Sequence, residues 1–198
     1  MTEVPTVQGG SHPHHVRREE IVDYQTYEDI RGEIRSGAMA TKAPRRIHLG
    51  EHLTFLFENH DTVRYQIQEI MRAERIVRED AIAEELDTYN GLLGGSGQLG
   101  CALLIEIDDE DERRKVLTAW LGLQDHLYAL DRDGNRSYAG FDPSQVGTDR
   151  ISAVQYLTFD LSGPPVALGC DFPGVLLEVN LDEAQRTALA DDLAATLG

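Results

Sequence analysis

The sequence predicts an α+β fold with a mostly antiparallel sheet, an N-terminal helical region, a central helix pair and a C-terminal helix. Three observations support this prediction. Apolar residues recur at helical spacing through much of the first half, whereas the last third alternates as strands do. Pro-Gly and Asp-Gly pairs separate those strand-like runs closely enough for hairpins. A chain of 198 residues with 41% hydrophobic content can also bury a sizeable core.

The N-terminal half divides into a polar tail and a series of alternating elements. Residues 1–16 contain three histidines and little apolar surface, so we expect a disordered tail, followed by a single domain over residues 17–198. A helix is predicted over 17–35 and a linker of small residues over 36–44. The next predicted elements are strands at 46–49 and 53–58, helices at 62–77 and 79–89, a Gly-rich loop at 91–100, a strand at 101–108 and a helix at 109–123.

The last third is predicted to be rich in strands. A turn at residues 131–135 connects two of them as a hairpin, and prolines punctuate the others. A final helix begins at Asp182, where Gln185 forms a partial capping box. The predicted strands cover residues 127–130, 137–141, 151–161, 166–170 and 175–181.

Charge and composition exclude several functional classes. Eighteen basic against 35 acidic residues give a net charge of −17 at pH 7, which disfavours nucleic acid and anionic lipid and attracts cationic partners. No apolar run approaches the roughly 20 residues of a membrane span, and no signal-peptide pattern begins the chain. We therefore expect a cytoplasmic protein, in which Cys101 and Cys170 are buried free thiols.

Glu74 breaks the pattern of its predicted helix. At about 100° per residue, Val63, Ile67, Ile70 and Val77 share one arc, and Glu74 falls at its centre. A carboxylate on a buried face needs a cation, a metal ion or a hydrogen-bond donor, or else stays protonated. Such departures from pattern tend to be functional or strained.

The opposite side of the same helix carries a second polar group. Glu69 and Arg72 lie there together with Tyr65, so we expect neighbouring elements to contact the helix on two sides. The candidate catalytic residues are therefore Glu74, Glu69, Arg72 and Tyr65.

Carboxylates and a histidine near this helix also suggest a metal site. Glu58 ends a predicted strand, His60 follows two residues later, and Glu106 interrupts an apolar strand. With Glu74, these side chains could supply an oxygen-rich site for iron, manganese or zinc. The alternative is a buried glutamate paired with an arginine of the same region, namely Arg64, Arg72, Arg75 or Arg78.

The Gly-rich loop does not predict a dinucleotide site. Residues 95–100 spell GxGxxG, but the NAD and FAD fingerprint follows a strand and opens a helix. Here the motif follows a predicted helix and precedes a strand. We therefore expect a loop with no NAD or FAD.

A set of short segments along the chain forms a recognisable signature, most specific over residues 57–90. The segments are His48–Gly50, Phe57–Asn59, Asp61–Thr62, Tyr65–Ile76, Glu85–Asn90, Leu104–Glu106, Ala153–Val154, Phe159, Asp171 with Pro173, and Glu178. Together they resemble a bacterial domain-of-unknown-function family, number 3501, over about residues 17–195. Family members often carry a histidine where this chain has Phe172, so a role for that histidine does not transfer.

The resemblance implies no established activity. The family's genes lie near those of rubrerythrin-like and iron–sulfur oxidoreductases, which favours redox or metal chemistry by association alone. Two functions follow as hypotheses. One is a metal-dependent redox enzyme or accessory protein that acts with a redox partner protein. The other is a non-catalytic module that binds a small-molecule ligand or a partner protein, and self-association into a homo-oligomer remains open.

Overall fold

The structure, a computed structural model, describes residues 14–197. Within that range five α-helices and two four-stranded antiparallel sheets form the α+β fold that the sequence predicts. No helix in this range has the length and apolar character needed to cross a bilayer. The helices are α1 (Tyr24–Lys42), α2 (His60–Glu74), α3 (Glu79–Asn90), α4 (Glu110–Ala119) and α5 (Glu183–Ala195).

The strands form two sheets rather than one. The first has the order β1-β2-β3-β6 and the second β5-β4-β7-β8, with antiparallel neighbours throughout. A single bridge between Gly140 and Thr158 connects the two sheets among the described residues. The strands are β1 (Arg46–Leu49), β2 (Leu53–Phe57), β3 (Gln98–Ile105), β4 (Leu127–Leu130), β5 (Arg136–Tyr138), β6 (Val154–Asp160), β7 (Ala167–Phe172) and β8 (Val175–Asn180).

Two apolar clusters hold the fold together. The larger one takes side chains from both sheets and from α5, including Phe55, Phe159 and Leu189, which are fully buried. Cys101 and Cys170 lie in it as free buried thiols, as predicted. The smaller cluster joins α2 and α3 to the segment that precedes α1. Packing against these clusters, more than local helix propensity, stabilises the short helices.

The described part of the chain begins inside the region predicted to be a tail. Residues 1–13 of that prediction lie outside the described residues, but His14 and Val16 are buried. The Asn90 amide holds Val16 by accepting its N–H at 2.8 Å and donating to its carbonyl at 2.9 Å. The tail prediction is therefore wrong for residues 14–16. The hydrogen bonds of the Val16 backbone come from Asn90, which is 74 positions away, so local composition gives no sign of them.

Helix α1 runs through the segment predicted to be a linker. The Asp23 carboxylate caps its start by accepting the N–H groups of Gln25 and Thr26, and the helix continues past Gly32 to Lys42. Small residues do not stop it, because alanine is the best helix former and each glycine costs only about 1 kcal/mol relative to alanine. The extension matters for the site, because it places Lys42 one short 3₁₀ turn before β1.

Helix α2 begins and ends earlier than predicted. The Asn59 side chain caps it by accepting the Thr62 N–H at 3.0 Å, and Arg75 ends it in a left-handed conformation with φ of 53°. Val63 and Ile67 are buried as predicted, but Glu74 is the last helical residue and is exposed, and Val77 is 65% exposed. The predicted position of Glu74 at the centre of a buried face is wrong, because the helix terminates before that face is completed.

Candidate functional site

Glu58 carries a buried carboxylate, one oxygen of which is unsatisfied within the described chain. It lies between the end of β2 and the cap of α2, where its N–H donates to the Gly100 carbonyl at 3.1 Å. Only 8% of the residue is exposed. Its Oε2 atom is buried and has no hydrogen-bond partner among residues 14–197. An ionised group left in this state costs free energy that the fold does not recover locally.

The neighbours of Glu58 approach it without satisfying it. The Thr62 hydroxyl donates to the Asn59 carbonyl instead, at 3.0 Å. The Gln66 amide lies close enough to Glu58 to oppose the rise of its pKa, but the Gln66 Nε2 is buried and has no partner at hydrogen-bonding distance and angle among the described residues. Burial raises the pKa of Glu58, and the opposing effects of Lys42, Thr62, Gln66 and Arg45 do not cancel that rise.

Two pockets meet at Glu58. The first, which we call the Asp192 pocket, has a volume of about 100 Å³ and lies between Glu58, the Gly-rich loop and the end of α5. Gly100 in its wall permits a close backbone approach, because a Cβ there would meet the Leu92 carbonyl oxygen at 1.9 Å. The polar side chains of this pocket are those of His14, Glu58, Asn59, His60, Asp61, Gln98, Asp192 and Thr196.

The second pocket, which we call the Lys42 pocket, has a volume of about 320 Å³. It lies between the end of α1 and the first two strands. Antiparallel register sets Arg46 opposite Leu56, and Glu58 follows Leu56 on the same face of β2. The lining residues are Met39, Lys42, Ala43, Arg45, Arg46, Leu56, Phe57 and Glu58.

A buried ion pair fixes the boundary between the pockets. Arg45 makes two parallel hydrogen bonds to Asp192, both at 2.7 Å, and also donates to the Thr41 carbonyl. The Asn59 amide donates to the same Asp192 carboxylate at 3.0 Å. Both charges are nearly buried, with side-chain exposures of 10% and 8%. Because Arg45 is fully engaged, it holds the walls in place and leaves the Glu58 carboxylate unpaired.

Cys101 lies near Glu58 but offers no thiolate. It faces Phe57 across β2 and β3, and it is almost completely buried. Burial raises the pKa of the thiol, and the Glu58 charge raises it further. The protonated thiol is a poor nucleophile and a poor metal ligand.

Three of the four predicted catalytic residues lie at the contact between α1 and α2. Glu69 accepts hydrogen bonds from the Tyr27 hydroxyl at 2.7 Å and from Arg31 at 2.8 and 2.9 Å. Arg72 lies 3.8 Å from Glu69 and 3.4 Å from Glu28. Tyr65 accepts a hydrogen bond from Arg35 at 2.9 Å. The prediction that α2 is contacted on two sides is confirmed. On this side, the polar side chains of α2 pair with polar side chains of α1.

Glu74 is not part of that group. It is exposed at the end of α2. Burial raises the pKa of Glu85, and the charges of Glu74 and Glu84 raise it further. Glu74 also raises the pKa of Tyr89, a smaller effect than burial. The structure therefore places Glu74 beside another carboxylate and separates it from Glu69, Arg72 and Tyr65.

Of the predicted metal ligands, Glu58 and His60 line the Asp192 pocket, whereas Glu74 and Glu106 do not. His60 contacts Glu20 at 3.2 Å and Asp61 at 3.3 Å. Glu106 accepts from the Thr54 hydroxyl, which also contacts His48. Glu106 lies opposite His52, six positions before Glu58 along β2, so the two carboxylate residues lie about 20 Å apart at 3.4 Å per residue. In the part of the chain that the structure describes, no three His, Cys, Asp or Glu side chains are grouped to hold an ion.

Sequence reasoning missed Lys42, Arg45, Gln66 and Asp192. Arg45 and Asp192 are 147 positions apart, so no local spacing connects them. One signal was available, because Asp192 interrupts the apolar face of α5 between Leu189 and Leu193. That is the same kind of departure from pattern that drew attention to Glu74, and here the residue is buried.

Comparisons with known proteins agree with one another. A crystal structure of a novel protein of unknown function from Burkholderia pseudomallei K96243 superposes with a TM-score of 0.81 at 30% sequence identity. The match covers 90% of this chain and 98% of that protein. None of the curated proteins compared with the chain matches it. Residues 15–193 match the family described as "Protein of unknown function (DUF3501)", and the chain therefore belongs to the DUF3501 family.

Proposed function

We propose that this protein binds a small polar molecule that donates a hydrogen bond to Glu58. One observation carries the proposal: a buried carboxylate oxygen between two pockets has no partner among residues 14–197. A ligand N–H or O–H would supply that partner. A hydrogen bond to a charged group contributes about 1.5–3 kcal/mol, which is enough to favour a matching ligand over water.

The surroundings favour binding over covalent chemistry. The Cys101 thiol nearby is protonated, and the Arg45–Asp192 pair is saturated by its own contacts. Small-molecule sites commonly combine apolar lining with a few convergent polar groups, and the two pockets have this character. Amines, amides and alcohols are the classes of ligand that offer the required donor.

Thermal denaturation against a set of small metabolites tests the proposal. Compounds with a donor group should raise the melting temperature of the wild-type protein, and Glu58→Gln should lose most of that shift because it removes the negative charge of the acceptor. Glu51→Gln, at an exposed position, is the matched control, and Arg72→Ala tests the α1–α2 contact. Compounds that stabilise Glu58→Gln as well as wild type would contradict the proposal.

A metal-dependent redox function is a second candidate that the resemblance alone favours. The described residues bring together no three suitable ligand side chains, so the geometry adds no support. Elemental analysis of protein purified without added metal distinguishes the two candidates. Stoichiometric iron, manganese or zinc that is lost in Glu58→Gln would favour the metal function over the binding of an organic donor.

A further inference from the structure

Lys42 and Arg46 are two cations that share the Lys42 pocket and form no ion pair within residues 14–197. The Lys42 ammonium lies 5.6 Å from the centre of the Tyr65 ring, and neither side chain forms an ion pair in this range. Both flank Arg45, whose charge Asp192 neutralises. The pocket therefore holds two positive charges that form no ion pair, at positions set by the end of α1 and the start of β1, and the Glu58 charge interacts with Lys42 from the same pocket.

Ion pairs involve half of the basic residues of this chain. With 35 acidic against 18 basic residues, carboxylates are abundant, and nine arginines form an ion pair within residues 14–197. Arg132 and Arg150 also form no ion pair in the described range and are exposed, as Arg46 is, but they do not line this pocket. The paired arginines are Arg17, Arg18, Arg31, Arg45, Arg64, Arg72, Arg78, Arg114 and Arg136.

The shape of the pocket limits what can occupy it. Its volume of about 320 Å³ is at the lower end of the range for small-molecule sites. Met39, Ala43 and Leu56 provide apolar lining between the cations and Glu58. Arg46 and Glu58 lie on one face of the β1–β2 pair, since Arg46 is opposite Leu56 and Glu58 follows two positions later. One compact molecule can therefore meet both kinds of charge.

We infer that Lys42 and Arg46 form an oxyanion subsite, so that the ligand is a small organic acid with a carboxylate or phosphate and a separate hydrogen-bond donor. The donor half of this description rests on the proposed function of Glu58. The oxyanion half rests on the cations alone. Guanidinium and ammonium groups are the usual partners of carboxylate and phosphate.

Titration calorimetry with inorganic phosphate, and separately with acetate, at constant ionic strength tests the subsite. Wild type should bind at least one of them saturably, and the better binder identifies the class of oxyanion. Lys42→Met and Arg46→Met should each weaken that binding about tenfold, the effect of losing one charge-assisted hydrogen bond. Arg132→Met, at an exposed turn, should leave it unchanged. Circular dichroism and melting temperature in chloride verify that each variant is folded.

Glu58→Gln separates this inference from the proposed function. Removing a negative charge beside the subsite should preserve or strengthen phosphate and acetate binding, whereas it should weaken binding of molecules that use Glu58 as an acceptor. If wild type binds the anion, but donor molecules bind Glu58→Gln as well as wild type, the result would support the subsite and contradict the proposed function. The subsite is contradicted if neither anion binds wild type, or if the double variant Lys42→Met/Arg46→Met binds as well as wild type.

Discussion

Glu58 and Glu69 are two carboxylates close to the same helix with opposite environments. Glu69 accepts three hydrogen bonds from Tyr27 and Arg31, and its side chain is 22% exposed. Glu58 is more deeply buried, yet one of its oxygens has no partner among the described residues. Hydrogen bonds from Arg31 lower the pKa of Glu69, whereas burial raises the pKa of Glu58. The difference separates a group that holds two helices together from one whose partner has to come from outside.

Asp192 extends the comparison, because it is as buried as Glu58 and fully partnered. Replacing its partner by Arg45→Met should lower the free energy of unfolding by about 3–5 kcal/mol, since it leaves a buried charge uncompensated. Chemical denaturation measures this change. Arg46→Met, at the adjacent exposed position, should change stability by less than about 0.5 kcal/mol. Equal effects of the two substitutions would show that the ion pair does not hold the pocket walls.

Substitution of Glu58 should change the free energy of unfolding in the opposite direction. We expect Glu58→Gln to raise the free energy of unfolding by about 1–3 kcal/mol at neutral pH in the absence of ligand, because it removes a buried, incompletely satisfied charge. Denaturant titration of both proteins in the same buffer gives the difference. A loss of stability instead would mean that the carboxylate already has a partner in the folded protein.

The pH dependence of these differences should distinguish the two glutamates. Protonation of Glu58 stabilises the folded protein, because the pKa of Glu58 in the folded state lies above its unfolded value of about 4.3. The advantage of Glu58→Gln should therefore be full above the folded pKa and disappear as the pH falls towards about 4.3. Glu69 has a lowered folded pKa, so its contribution is full above about 4.3 and is lost only below that pH. Unfolding free energies of both variants and wild type from pH 7 to pH 3 measure the two windows, and coincident windows would contradict the assignment.

At neutral pH, Glu69→Gln should lower the free energy of unfolding by about 1 kcal/mol, since a neutral amide replaces a charged acceptor that solvent partly screens. The Tyr27 and Arg31 donors would keep an oxygen to bind, which limits the loss. Denaturant titration measures the change, and ligand or anion binding at the Lys42 pocket should be unaltered. Weaker anion binding in this variant would connect the α1–α2 contact to the site.

The sequence predicted the order of elements well and the composition of the site poorly. Apolar periodicity located β1, β2, α3 and the capped start of α5, because burial on one face leaves a local signature. The helical continuation to Lys42 was missed, since alanine and glycine resemble a linker when nothing shows what they pack against. Arg45 and Asp192 meet only through the tertiary fold, so their pairing has no local pattern. Glu58 was identified as a candidate, but for a metal site whose predicted ligands Glu74 and Glu106 lie elsewhere.

Glu74 provides the smallest expected effect and the clearest test of the difference between pattern and burial. The helical arc that favoured it ignores the left-handed Arg75 that ends α2, and the exposed carboxylate faces solvent beside Glu85. Glu74→Gln should therefore change the free energy of unfolding by less than about 0.5 kcal/mol. It should also leave metal content and anion binding as in wild type. Elemental analysis, denaturant titration and calorimetry measure these three properties. A large change in any of them would favour Glu74 over Glu58 as the functional carboxylate.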